Sequence, residues 1–392
     1  MAERKKIAAV VTTYFPGSHA DVVITKFLKG FPTDEGLLPP KVDIVSMYMD
    51  QINEKDVGVD LAAEHGVPIH RSIPSALMLG EKELAVDGVL IIGEHGDYAW
   101  NEKEQHMYPR RFFLEQVCGI MAKSGRSVPV FSDKHLAYDW ENAKWMYDRV
   151  KALDVPFMAG SSIPLAWRDP WIEYDLDTPL EDALSVSYGG LDSYGFHALE
   201  LLQSMTERRR GGETGIAAVQ CIEGEAVWAA AEEGLWSRAL LDAALARVEA
   251  KEPGDPEDLC EDPALFLLEY ADGFRAATLM LNGCLKGWGY AGKVNGEVKA
   301  MEAATSKDPH PHFSYLSLNI QEMYMTGVPQ YPAERTLLVT GALDALMDSR
   351  HRGHIRVETP HLDIAYRSYE KPPIRPSAPR PEGASLVPIV QR

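Results

Sequence analysis

Residues 128–162 read VPVFSDKHLAYDWENAKWMYDRVKALDVPFMAGSS. The short apolar runs at 128–131 and 155–158 are what strands look like when a sheet buries both of their faces. Between them, 139–153 places apolar residues at helical spacing, with Asp139 in front as a helix start. A strand, a helix and a second strand in so short a stretch predict a right-handed crossover and two parallel strands. The same alternation extends toward the N-terminus. Runs at 7–13, 42–49, 67–69 and 86–92 read as strands, and 20–30, 56–66 and 102–124 read as helices. Residues 1–164 are therefore predicted to form a Rossmann-like, doubly wound parallel sheet of the dinucleotide-binding type.

Beyond residue 165 the pattern changes. Candidate strands come in pairs, 215–221 with 264–270 and 274–281 with 288–294, and Asp272-Gly273 makes a hairpin turn. Residues 165–370 are predicted to be an α+β domain with a largely antiparallel open sheet whose exposed face mediates homo-oligomerisation, as a dimer or tetramer. Residues 371–392 begin KPPIRPSAPRPE and read as a proline-rich arm.

Composition narrows the function. The 392 residues carry a formal net charge of −19, which opposes binding to nucleic acid or to an anionic membrane surface. No apolar run is long enough to span a bilayer, and no signal-peptide core follows the first residues. Cys118, Cys221, Cys260 and Cys284 are scattered, without a C-x-x-C pair, and read as reduced thiols. These features predict a cytoplasmic enzyme of small molecules.

Ligands of open α/β sheets bind beyond the carboxyl ends of the strands. Those ends carry Gly17-Ser18-His19, then Asp50, then Glu94-His95-Gly96-Asp97, then Asp133-Lys134-His135. Gly17 is the one glycine in the first turn, so the dinucleotide fingerprint G-x-G-x-x-G is depleted there. Ser18 suits a helix N-cap and a phosphate contact, and Asp50 suits a ribose hydroxyl. Glu94, His95, Asp97 and His135 have the chemistry of a divalent-metal set, without helical H-x-x-x-H spacing.

The order VDGVLIIGEH, VPVFSDKH and DSYGFHALELL (192–202) resembles the glucose-fructose oxidoreductase, inositol dehydrogenase and rhizopine-catabolism (Gfo/Idh/MocA) family. The late segment ALDALMDSRHRGHIRVE (342–358) extends the resemblance over most of the chain. The family implies an NAD- or NADP-dependent oxidoreductase acting on a hydroxyl or keto group of a carbohydrate or polyol. Lys134 stands at the lysine of its Glu-Lys-Pro motif and His197 at its acid/base histidine. Asp192, counted with Lys134 and His197 among the catalytic residues, or the substrate-binding Tyr194 would orient the substrate. Gly17, Ser18, His19, Asp50, Glu94 and His95 fall where the cofactor would lie. Trp167 and Arg168, after the sixth strand, would face the sugar. The chain departs from the family at His135, where proline is usual, at Ser193, and in the glycine loop. Two other readings stand beside this one. The first is a metal-dependent lyase, hydrolase or isomerase built on Glu94, His95, Asp97 and His135. The second is a ligand-binding protein without catalysis.

Overall fold

The computed structural model describes residues 4–305 and 310–376. Six parallel strands form the first sheet: β1 (Lys5–Val11), β2 (Val42–Met49), β3 (Ile69–His70), β4 (Gly88–Ile92), β5 (Val130–Asp133) and β6 (Phe157–Gly160). Their spatial order is β3-β2-β1-β4-β5-β6, so the direction of winding reverses between β1 and β4. In such sheets the crevice at that reversal is where ligands bind. Every residue of β4, β5 and β6 is buried, because helices cover both faces of a sheet built from crossovers. Helices α1 (His19–Lys29), α2 (Arg110–Ser124) and α3 (Trp140–Ala152) make three of these crossovers.

The expected helix at 102–124 starts only at Arg110. Pro109 precedes it, and Asn101 and Gln105 hydrogen-bond each other in a turn instead of continuing a helix. Strand β5 runs two residues past the apolar stretch, so Asp133 ends the strand and Lys134 is the first residue beyond it.

Eight strands form the second sheet: β7 (Trp167–Asp169), β8 (Leu180–Ser187), β9 (Ile216–Glu223), β10 (Ala264–Tyr270), β11 (Arg275–Met280), β12 (Gly289–Val294), β13 (Glu297–Ala304) and β14 (Val357–Glu358). Their order is β14-β9-β10-β11-β8-β12-β13-β7. The β9–β10 pairing and the hairpin at Asp272-Gly273 are as expected. The expected pairing of 274–281 with 288–294 is not made. Strand β8 lies between them, parallel to β11 and antiparallel to β12.

Helices α4 (Ser193–Thr206) and α8 (Ala333–His351) pack on the inner face of this sheet through Phe196, Leu202, Leu338 and Leu346. The outer face is not bare either. Helices α5 (Ala226–Glu232) and α6 (Arg238–Leu245) cover it, and Val227, Leu240 and Leu241 bury Leu184, Leu279 and Ala291. The apolar face to which the sequence assigned oligomerisation is thus consumed within the chain, since leaving it in water would cost about 25 cal/mol per Å².

Helix α7 (Pro311–Thr326) packs against the first sheet, with Phe313, Leu316, Ile320 and Tyr324 in the same core as Ile7, Phe27 and Phe31. It brings a late part of the chain to the mouth of the crevice. The first residues of the proline-rich arm are also tied down, Ile374 exchanging two hydrogen bonds with Asn319 (2.7 and 2.8 Å). The rest of the arm lies outside the described residues. Among the described residues no helix is long and apolar enough to cross a membrane.

Candidate active site

A cavity of about 1270 Å³ opens between the two sheets, at the carboxyl ends of β1, β4 and β5. His19, His95, His106, His135, His197, His310 and His312 all line it. That is seven of the chain's twelve histidines, so imidazole rings are concentrated in its wall.

Its floor is a buried ion cluster. Lys134 Nζ lies 3.0 Å from Glu94 Oε1, and Arg110 Nη2 lies 2.5 Å from Glu94 Oε2. Lys134 also donates to the Ser193 carbonyl at the start of α4 (2.9 Å), which ties the second sheet's helix to the end of β5. Burial opposes the Glu94 charge, but Lys134 and Arg110 outweigh it and hold the carboxyl well below the usual range. Arg110 can come this close because Gly93 has no side chain; a Cβ there would sit 2.6 Å from Arg110 Cγ. Lys134 (φ 65°) and His95 (φ 67°) both adopt the left-handed backbone, a strain of the kind that gathers at functional sites.

Two histidines rise above this floor. His19, at the start of α1, places Nδ1 2.6 Å from Asp133 Oδ2. A carboxylate only accepts, so a proton sits on Nδ1, and Nε2 is the ring nitrogen without a protein partner among the described residues. His197, one turn into α4, places Nδ1 2.6 Å from Ser161 Oγ at the end of β6. Burial and the neighbouring Lys134 hold its imidazolium well below the usual range, so the ring is neutral. The His19 and His197 rings are 6.1 Å apart. His95 packs edge-on against His19 at 5.6 Å, and burial pushes it down to about 4.

Asp192 is buried, and its Oδ2 accepts from the His106 N–H at 3.2 Å. Burial pushes its carboxyl up to about 6, against the pull of that N–H. Tyr194 stacks on Trp288 (5.7 Å, 14°), and Trp100, 60% exposed, stacks on His106 (4.2 Å, 13°). Both pairs border the cavity and offer flat apolar faces.

Of the residues singled out in the sequence, Gly17, His19, Glu94, His95, Lys134, His135, Asp192, Tyr194 and His197 meet in this cavity. Ser18, Asp50, Asp97, Trp167 and Arg168 are not in its lining. Ser18 is buried as the cap of α1. Trp167 packs on Tyr315 (5.2 Å), and Arg168 pairs with Glu173 (2.7 Å), both buried at the edge of the second sheet. Asp133, Ser161, Arg110 and Trp288 had no assigned role in the sequence. Only the position of Asp133 at a strand end signalled it.

The metal set Glu94, His95, Asp97 and His135 does not assemble. Glu94 is occupied by two cations, His135 Nε2 faces a guanidinium nitrogen at 3.1 Å, and Asp97 lies outside. Among the described residues, Cys221, Glu223 and His354 do bring three ligand atoms within 4.8 Å of one another. Arg350 already holds Glu223 at 2.8 Å, so a metal ion there would have to displace a guanidinium.

No family model matches the chain, and no curated protein matches it. Solved structures do. GenD2 from gentamicin A biosynthesis, in complex with NAD, is 17% identical, covers 91% of this chain and 97% of its own, and superposes with a TM-score of 0.57. The apo scyllo-inositol dehydrogenase from Lactobacillus casei is 12% identical over 91% of this chain and 98% of its own, with a TM-score of 0.54. A myo-inositol dehydrogenase from Corynebacterium glutamicum is 11% identical over 91% and 99%, also at 0.54. The chain has the fold of these dehydrogenases. Identities this low speak to the fold alone.

The β1–α1 turn, where a dinucleotide would lie, is partly closed on itself. Gly17 N–H donates to Asp21 Oδ2 (2.8 Å), while the Phe15 and Asp21 N–H groups share Ser18 Oγ (3.1 and 3.2 Å). Three amides at this anion-binding position are thus engaged internally, and the buried Asp21 carboxyl stands at the same helix end. Asp50, exposed at the end of β2, accepts from Tyr48 (2.6 Å) and Tyr98 (2.7 Å). Gln51 and the Asp97 backbone exchange two hydrogen bonds (2.8 and 3.0 Å), so the loop after β4 is latched to the end of β2.

Proposed function

We propose that the chain is an enzyme that moves a proton at a hydroxyl or keto group of a carbohydrate-like small molecule held in this cavity. The pair His19–Asp133 carries the reading: a buried carboxylate fixes Nδ1 of a histidine in the wall of a polar, aromatic-bordered cavity, which leaves Nε2 as the nitrogen free to meet a substrate. In that role His19 takes the hydroxyl proton. His197, neutral and anchored by Ser161, binds the same oxygen region. The Lys134 ammonium, fixed by Glu94, stabilises the negative charge that develops as the proton leaves. The Tyr194–Trp288 pair offers a face for a sugar ring.

Taking that proton is common to an isomerase or lyase and to a dehydrogenase. The engaged β1–α1 turn favours the forms without redox turnover. A second reading, oxidation of the hydroxyl by NAD or NADP, is supported by the architecture shared with the NAD complex of GenD2. Titration with NADH and NADPH, followed by nicotinamide fluorescence, separates the two. No saturable binding is expected. Micromolar binding that is lost in His19→Ala would replace the non-redox form with the dehydrogenase. A screen of sugars, inositols and sugar acids by thermal shift tests the substrate class, and a screen without a stabilising compound would count against it.

The acid Asp192 sets a pH dependence. It accepts a substrate hydroxyl most strongly when ionised, so activity is expected to fall as pH drops through about 6. Asp192→Asn should lack that limb in a pH–rate profile. The stability effect has the opposite direction. Because the folded carboxyl is raised above its ordinary 3.8, its stabilising contribution is present below that value and is lost as pH rises through about 6. Asp192→Asn should therefore unfold no more easily than wild type at neutral pH, as read by chemical denaturation.

A further inference from the structure

His135 follows Lys134 in the chain, is 2% exposed, and touches both the cavity and the Phe196 ring (5.2 Å). Its Nε2 lies 3.1 Å from Arg110 Nη1. A guanidinium offers only donors, so Nε2 must be the bare, accepting nitrogen. Burial, Arg110 and Lys134 all keep the ring neutral. The ring's one proton is therefore on Nδ1. That is the less common tautomer, and here it is imposed by a neighbour that cannot change. Turning the ring over would set a carbon against Arg110 and lose the bond.

The Nδ1–H that results is buried and has no partner among the described residues. A buried donor left unmade costs about 1–3 kcal/mol, and native proteins rarely keep one without use. A second such atom belongs to another residue of the cavity lining. Asp192 Oδ2 accepts from His106, but Oδ1 has no partner among the described residues. One orphan is a donor by necessity. The other is an acceptor once the carboxyl is ionised.

We propose that His135 is a tautomer-locked hydrogen-bond donor to an oxygen of the cavity's ligand, with Asp192 Oδ1 accepting from a hydroxyl of the same ligand. The complementary chemistry is a hydroxyl next to a carbonyl or to a second hydroxyl. This rests on the reading of a hydroxylated substrate given above and adds the atoms that would recognise it. The lock runs from Glu94 through Arg110 to His135, so the ion cluster under the cavity also dictates which nitrogen the ligand meets. It assigns His135 to ligand binding and takes its Nε2 away from any metal.

The first arm of the test needs no ligand. The full chain, labelled with ¹⁵N-histidine, is followed by NMR between about pH 5 and 8, where a free histidine titrates. His135, assigned through loss of its signals in His135→Gln, should show a protonated Nδ1 and a bare Nε2 throughout, with the Nδ1 proton exchanging with bulk water. A proton on Nε2, titration within that window, or an Nδ1 proton sealed from exchange would overturn the proposal.

The second arm uses a pair of variants. In His135→Gln the amide oxygen still meets Arg110 while the pocket donor is removed. In His135→Asn an N–H stays near the Nδ1 position while Arg110 loses its acceptor. The Gln variant should keep its unfolding midpoint and lose about ten- to a hundredfold in kcat/KM. The Asn variant should keep more of the activity and lose stability. Full activity in the Gln variant would overturn the donor role. If the wild type turns over no hydroxylated compound, the functional reading falls, and the NMR arm alone decides whether the donor exists.

Discussion

Glu94→Gln is expected to destabilise the protein by about 3–5 kcal/mol, the cost of breaking a buried ion pair from one side. Glu94 is the single carboxylate between Lys134 and Arg110, and all three side chains are 5% exposed or less. An amide in its place leaves an ammonium and a guanidinium without their shared counter-charge in a medium that solvates neither well. It also removes an acceptor that Arg110 uses at 2.5 Å. The measurement is the free energy of unfolding in urea, with the change in slope checked so that only stability is read. A loss under about 1 kcal/mol would mean that water reaches the cluster and that the floor of the cavity is not the fixed charge pattern described above.

The same substitution has a pH signature. The folded carboxyl of Glu94 is held below its ordinary 4.5, so its stabilising contribution is full above that value and fades as pH falls through the depressed folded value. The variant should lose that part of the acid sensitivity. A variant as sensitive to acid as wild type would place the titrating carboxylates elsewhere.

Asp133→Asn carries the largest expected effect on activity. Asp133 fixes the proton of His19 on Nδ1 across a separation of 114 residues. An amide fills the same space but can present its own N–H to Nδ1, which would move the ring proton to Nε2 and leave no base toward the cavity. Turnover of whichever compound the screen identifies should drop roughly 10²–10⁴-fold, while the thermal midpoint stays near that of wild type. Asp133→Asn with unchanged turnover would remove His19 from the chemistry and leave His197 as the sole candidate base. Asp133→Ala is a poorer test, because it leaves a void in a buried strand end.

Much of the first sheet was legible because its physics is local. Strands buried on both faces need continuous apolar runs, and the helices between them need an apolar stripe. Residues 86–92, 128–131 and 155–158 meet the first requirement within a few residues of the observed strands. The second sheet was legible only where its neighbours in sequence are neighbours in space, as at the Asp272-Gly273 hairpin. Strand β8 was not visible as the partner of β11 and β12. It arrives from far upstream, and its sequence LEDALSVS does not announce which edges it will meet. Helices α5 and α6 were likewise unforeseen as the cover of the outer sheet face.

For the site, chain position placed Lys134, His19, Glu94 and His95 at strand ends, and the family resemblance added His197 and Asp192. All six line one cavity. Trp167 and Arg168 were misplaced because the chain turns into an edge strand after β6, and that turn carries their side chains into the core.

The amino-acid sequence by itself determined the parallel first sheet, the crevice at its reversal and the polar residues that crown it, since hydrophobic period and strand-end position are properties of short segments. The pairing of His19 with Asp133, the capture of Glu94 by Arg110 and Lys134, the tautomer imposed on His135 and the latch between the loop after β4 and the end of β2 were decided only by the tertiary structure. Each joins groups far apart along the chain, and hydrogen bonds and ion pairs gain their strength from distances and burial that no single segment specifies.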